Sequence, residues 1–397
     1  METFIAELPR LTCTEGTRVC PLLSHLTACN EALCLVGLQL REDARDEPVS
    51  SSVMTVSTIR REIPPCTKCT RKEKAALELL KWLFKWHCCI VSLEANYGVV
   101  NSSGLVEVLA RSSSLRRLTI FGNAKDPPGV AEPPADPEFP FLHGYIARTA
   151  GMEIAARLLE MDGARLVSLD VTELEMSPSA AKKLIDALLK NGTIEELAVG
   201  ASVITCGAVG GTLGWFLLFL IKRDATVRKL VLRSPLFKFD IAGLHTLAQA
   251  ICIVTTLEDL TLEIGASSQH CALFLKSIAQ SRSVRSLTFL PGRIEDGVIK
   301  RRQRENSGDP SWVSALQENR TLQKLDLDVS WSSSGDCCLL IKELVNDRNL
   351  QSVTLRNFPS EDVLQEVCRT IRECGVEERV LIEDHSAFAE EESCGRA

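Results

Sequence analysis

The sequence predicts an α/β solenoid, a horseshoe of helix–strand units with a parallel β-sheet on its concave face and α-helices on its convex face. Three observations predict it. A short phrase, apolar-x-x-apolar-x-apolar, recurs along the 397 residues. Two apolar columns four residues apart precede nearly every copy, and small polar residues stand between the columns and the phrase. Self-similarity at a period of roughly 20–50 residues marks stacked supersecondary units.

The phrase reads Ile90/Leu93/Ala95, Leu115/Leu118/Ile120, Leu166/Leu169/Val171, Ile194/Leu197/Val199 and Val227/Leu230/Leu232. It continues as Leu257/Leu260/Leu262, Val284/Leu287/Phe289, Leu322/Leu325/Leu327 and Leu350/Val353/Leu355. Upstream stand Phe84, Leu109, Leu188, Ile221, Ile251, Ile278, Leu316 and Leu344, and four residues earlier Leu80, Leu105, Leu184, Leu217, Leu247, Phe274, Trp312 and Leu340. Residues four apart share one face of a helix, so these columns describe an amphipathic helix held by its apolar stripe. The unit beginning at Leu166 slips by one residue, with Ala155 and Leu159 as its helix pair.

Directly before the strand comes Ser114, Thr193, Thr226, Thr256, Ser283, Thr321 or Asn349. Asn191, Asp224, Ser281, Asn319 and Asp347 supply turn chemistry where the helix stops. One such unit cannot bury its stripe alone, but stacking aligns the strands in parallel and covers one sheet face with helices. Helices are about 10 Å wide and strands about 4.8 Å apart, so the stack bends with the sheet inside.

This helix plus L-x-x-L-x-L unit, about 28 residues long, resembles the ribonuclease-inhibitor type of leucine-rich repeat over roughly Ala75 to Ile382. The resemblance implies a curved protein-binding surface. That family usually carries Asn or Cys three residues after the last strand leucine. Here only Asn123 fits, while Leu174, Ser202, Pro235, Gly265, Gly292, Ser330 and Phe358 stand elsewhere, so irregular ascending loops are expected.

Residues 1–72 read as a capping, degenerate repeat: Val19 to Cys29 is helix-like, Leu35/Leu38/Leu40 matches the strand phrase, and a polar connection follows from Arg41 to about Ser57. The array occupies 73–385, and 386–397 is a flexible tail. Val367 and Ile371 mark the last helix and Val380 and Ile382 the last strand, with Glu377 in a leucine position as a solvent-facing cap allows. Insertions fall near 125–140, which is proline-rich, and near 293–307, which carries Arg293, Lys300, Arg301, Arg302 and Arg304. Long loops of this kind are candidates for partner contact.

Composition narrows the function. With 45 basic against 52 acidic residues, the chain lacks the net basic charge that displaces counterions from nucleic acid. An acidic start (Glu2, Glu7) without a basic n-region argues against secretion, so the 16 cysteines read as reduced thiols of a cytoplasmic protein. Cys252, Cys271 and Cys368 fall on apolar helix positions. Ile204 to Ile221 carries no charge and is long enough to invite a membrane reading. Its second half keeps the register of the repeat helix, so a buried solenoid helix is expected and no membrane contact.

Nucleophile, zinc-protease and phosphate-loop motifs are missing. The histidines His25, His87, His143, His245, His270 and His385 fall on unrelated repeats. Cys66-Thr-Lys-Cys69 has half-zinc-site spacing, with His87 and Cys88 downstream, but the intervening helix would separate the halves. Vicinal Cys337-Cys338 is expected to pack. No catalytic, cofactor-binding or metal-ligating residue is assigned, and no cofactor is expected.

The expected function is therefore a non-enzymatic scaffold that binds another protein through the concave sheet and adjacent loops. Its candidate contacts are Arg117, Phe121, Glu196, Lys229, Arg233, Asp259, Glu263, Lys324, Asp326 and Arg356, with Glu196, Lys229 and Asp259 expected to pair laterally. A Ran-type GTPase-activating protein and a ubiquitin-ligase substrate receptor are the alternatives, although the chain lacks the asparagine-rich loops and long acidic tail of the first.

Overall fold

The protein is described by a computed structural model. It describes residues 12–13, 20–42, 53–59, 71–101, 104–122, 159, 165–174, 176, 178–204, 213–222, 226–238, 241–265, 267–292, 311–345, 347 and 349–383. Both predicted insertions, most of the connection after Arg41, the tail and the Cys66/Cys69 pair lie outside these residues. The chain divides into two compact units, Met1–Phe219 and Leu220–Ala397. The division falls within a stretch that the repeat spacing treats as one array.

In the first unit a 3-10 turn, Pro21–His25, leads into α1 (Leu26–Leu33) and then β1 (Leu38–Glu42). β2 (Met54–Thr58) pairs antiparallel with β1. Three helical segments follow, α2 (Arg71–Trp86), the short α3 (Tyr97–Val100) and α4 (Leu105–Arg111). The parallel run starts from β2 and takes β3 (Ile90–Asn96), β4 (Arg117–Phe121), β5 (Ser168–Val171) and β6 (Glu196–Gly200) in chain order. α5 (Pro178–Lys190) follows, and α6 (Leu213–Ile221) contains the Phe219/Leu220 division point of the chain.

The second unit repeats the motif more regularly. β7 (Lys229–Lys238), β8 (Asp259–Gly265), β9 (Ser286–Gly292), β10 (Lys324–Asp328), β11 (Ser352–Arg356) and β12 (Val380–Glu383) lie side by side, all parallel. Between them come α7 (Ile241–Ile253), α8 (Ser268–Ile278), α9 (Ser311–Glu318), α10 (Ser334–Leu344) and α11 (Glu361–Cys374). Each unit is thus a leucine-rich-repeat-like stack, and in the second unit one α-helix lies between each pair of successive strands.

The sequence columns become lateral ladders. Leu93, Leu118, Leu169 and Leu197 stand opposite one another in the first unit, and Leu230, Leu260, Leu287, Leu325, Val353 and Val380 do so in the second. Through Val353 these positions are at most 1% exposed, and the helix columns are buried with them. Ile221 is the exception, 41% exposed. α6 is apolar all round, so it buries Phe216, Phe219 and Leu220 yet leaves Trp215, Leu218 and Ile221 outward. No described helix is long and apolar enough to cross a membrane.

Several residues of the polar column before the strand tie their repeat to the one before it. Ser114 Oγ donates to Ile90 O at 3.0 Å, and Thr193 Oγ1 to Leu166 O at 2.7 Å. In the second unit Thr256 Oγ1 donates to Val227 O at 3.0 Å and Ser283 Oγ to Val254 O at 2.7 Å. The turn residues act as read: Asn191 Oδ1 accepts from the Thr193 and Ile194 amides, and Asp347 Oδ1 from those of Asn349 and Leu350. Such side-chain acceptors satisfy amides that the turn would otherwise leave unpaired.

Two local readings need correction. The polar connection placed up to Ser57 ends in β2, whose Met54 and Val56 are fully buried. Two apolar residues in simple alternation suffice for a strand with one buried face, whereas the repeat phrase demands three. The β1–β2 pair is also antiparallel, so the parallel ladder begins one strand later than the predicted cap.

Gly200, at the end of β6, is required by close approach rather than by its backbone angle. A Cβ there would meet Thr172 O at 2.2 Å. Gly200→Ala is expected to lower stability by about 1–3 kcal/mol, as over-packing does. Urea denaturation of the two proteins checks this, with Gly192→Ala as the control, since nothing lies within 4 Å of its Cβ.

Candidate functional site

Strand alternation turns the residues between the core leucines onto the opposite face of the sheet. The predicted column lies in register there: Arg117, Ser168 and Glu196 in the first unit, and Lys229, Asp259, Ser286, Lys324 and Ser352 in the second. Glu196, Lys229, Lys324 and Ser352 are exposed, while Arg117, Ser168, Asp259 and Ser286 are half-buried.

The next column behaves differently. Arg233 Nε meets Glu263 Oε2 at 2.7 Å. Arg356 binds Asp326 through both ends of the carboxylate, Nε to Oδ1 at 2.7 Å and Nη2 to Oδ2 at 2.9 Å, and its Nη1 donates to Glu383. Hydrogen bonding to Asp326 is the main cause holding this guanidinium above its ordinary pKa. These charges answer one another inside the protein. Phe121 is only 4% exposed, so its ring offers almost no contact surface. Lys229 and Asp259 are opposite in register but form no ion pair among the described residues, and Lys324 forms none either.

A second cluster was not anticipated. Cys13, Cys20, His87 and Cys89 each bring a ligand-type atom to within 4.8 Å of the others. Cys13 stands in a one-residue parallel bridge to His87, with its amide bonded to Trp86 O at 3.2 Å. Cys20 caps the Pro21–His25 turn. His87 and Cys89 occupy the tight turn from α2 to β3, where the His87 amide still reaches Leu83 O at 3.0 Å. Cys20 Sγ is 3.5 Å from His87 Nδ1 and 3.3 Å from Cys89 Sγ, and Cys13 Sγ is 3.4 Å from Cys88 Sγ.

The chemistry of the cluster is uneven. The hydrogen bond from Cys89 holds the Cys20 thiol far below its ordinary pKa, with His87 assisting and burial opposing. Cys89, the donor, is raised by the same bond and then by burial. Nearby Cys29 is pushed up to about 11, chiefly by burial. The His87 ring is 1% exposed, lies 4.7 Å from the Trp82 ring, and its Nε2 has no hydrogen-bond partner.

Of the other described cysteines, Cys34 is exposed, Cys252, Cys368 and Cys374 are half-buried, and Cys29, Cys271, Cys337 and Cys338 are buried. Cys271 and Cys337 are fully buried, and burial pushes the Cys337 thiol up to about 12. One sequence signal pointed toward the N-terminal cluster: half of the sixteen cysteines precede Ile90. By spacing alone His87 and Cys88 stand downstream of Cys66-Thr-Lys-Cys69, a set that the intervening helix argues against. Neither a protein-family model nor a curated protein matches the chain.

Proposed function

We propose that the chain is a non-enzymatic leucine-rich-repeat scaffold of the ribonuclease-inhibitor type, which holds a partner protein on the open face of its sheet. The observation that carries this reading is the second unit's outward column. Lys229 and Lys324 stand exposed there with no ion pair among the described residues, while the neighbouring Arg233 and Arg356 are engaged by carboxylates of adjacent strands. A strand ladder fixes these side chains at regular spacing, so little ordering entropy is lost on docking. The repeat of about 28 residues, with a full α-helix in most units, supports the ribonuclease-inhibitor type. A cytoplasmic, thiol-reducing setting belongs to this proposal, since it would keep the chain's 16 cysteines as thiols.

Charge reversal tests the face. Partners are captured by cross-linking mass spectrometry with the unaltered chain, with Lys229→Glu plus Lys324→Glu, and with Arg369→Glu on the exposed side of α11. The expected result is a partner cross-linked to β7–β11 that the double variant loses by about tenfold or more, as removal of well-placed charges does, and that Arg369→Glu retains. A partner held equally by all three would reject this face.

A further inference from the structure

The geometry points to a structural zinc site at the N-terminal cap, with Cys13, Cys20, His87 and Cys89 as its four ligands. Zinc takes thiolate and imidazole ligands in a tetrahedron, with bonds of about 2.3 Å to sulfur and about 2.0–2.1 Å to nitrogen. Those lengths set tetrahedral edges of roughly 3.8 Å between sulfurs and roughly 3.6 Å between sulfur and nitrogen. The observed edges of 3.3 Å (Cys20–Cys89) and 3.5 Å (Cys20–His87 Nδ1) are of that size, and no edge of the four exceeds 4.8 Å.

Three further features favour a metal over packed thiols. The ligands come from chain segments some seventy residues apart, so their convergence is not a by-product of one helix face. His87 is 1% exposed and turns Nδ1, not a carbon edge, toward Cys20. Imidazole Nδ1 is one of the two ring nitrogens through which histidine binds metals, and here it faces the Cys20 sulfur at 3.5 Å. Finally, Cys13, Cys20 and Cys89 are free cysteines, with sulfur separations well beyond the roughly 2.05 Å of a disulfide.

The role follows from the position. Cys13 meets the α2–β3 junction through a one-residue bridge to His87 and through Cys88, and among the described residues no longer strand pairing holds residues 12–13. A metal at this point would fasten that segment and the Pro21–His25 turn to the junction of α2 and β3. Binding free energy at such a site is folding free energy, because the unfolded chain has no preformed ligand set.

The test uses the full chain, reduced and freed of metal, titrated with Co2+ and then Zn2+. One Co2+ per chain is expected, with the intense visible bands of a tetrahedral thiolate site, displaced by Zn2+. Cys20→Ser and His87→Ala should each weaken uptake by on the order of 100-fold or more, since loss of second-shell partners alone costs 10–100-fold. Cys66→Ser combined with Cys69→Ser should leave the bands unchanged. If those two variants fold poorly, the unaltered chain still decides the matter: zinc should raise its melting temperature and a chelator should reverse the rise. Absence of stoichiometric uptake by the reduced chain, or loss of the bands on changing Cys66 and Cys69, would overturn this ligand set.

Discussion

Replacing Phe289 with alanine is expected to destabilise the protein by about 3–5 kcal/mol, the cost of deleting a buried aromatic ring and leaving its cavity. Phe289 is fully buried on β9. Its ring lies 5.6 Å from Phe274 of α8, nearly parallel at 15°, and meets Trp331 edge-on at 6.5 Å and 81°. Trp312 of α9 lies 5.5 Å from Trp331 and is itself 1% exposed. One ring therefore joins a strand, a helix and the loop beyond β10, and its loss removes contacts from three directions. Phe289→Leu, which keeps most of the volume, should cost about 1 kcal/mol. Urea denaturation followed by tryptophan fluorescence checks both, because Trp312 and Trp331 report on the cluster itself. A loss below about 1 kcal/mol for alanine would mean that the site collapses around the vacancy.

The strand columns were legible because a parallel stack places equivalent residues of successive repeats side by side. Periodicity in the chain then equals adjacency in space, and Leu230, Leu260, Leu287 and Leu325 could be aligned by counting. Features that break this equivalence were hidden. Arg356 reaches Asp326 diagonally, one strand over and two residues back, rather than its register partner Asp328. β2 carries too few apolar residues for the phrase and belongs to an antiparallel pair. The Cys13–Cys20–His87–Cys89 cluster forms where the chain returns on itself, so no local spacing announces it. Ile221 fits its column yet is exposed, because a helix apolar on every side gives the pattern no direction.

Asn319→Ala is the second large loss expected, about 2–4 kcal/mol, because buried partners are left unpaired on both sides of the amide. Asn319 is 7% exposed. Its Nδ2 donates to Ala279 O at 2.7 Å and to Ser281 O at 2.9 Å, in the preceding repeat. Its Oδ1 accepts from the Thr321 amide at 2.9 Å and the Leu322 amide at 2.7 Å, which close its own turn. The aspartate variant separates these halves. Asn319→Asp keeps the acceptor but sets a carboxylate oxygen against two carbonyls, so it should be at least as damaging as alanine. Asn191 occupies the same column and accepts from the Thr193 and Ile194 amides, and its side-chain NH2 donates to no described group. Asp347 already fills that role in a later repeat, so Asn191→Asp should lie within about 0.5 kcal/mol of the unaltered protein. Thermal and urea denaturation of the three variants measures the difference. Equal tolerance of aspartate at 191 and 319 would show that the turn acceptor alone matters and that the amide rung between repeats contributes nothing.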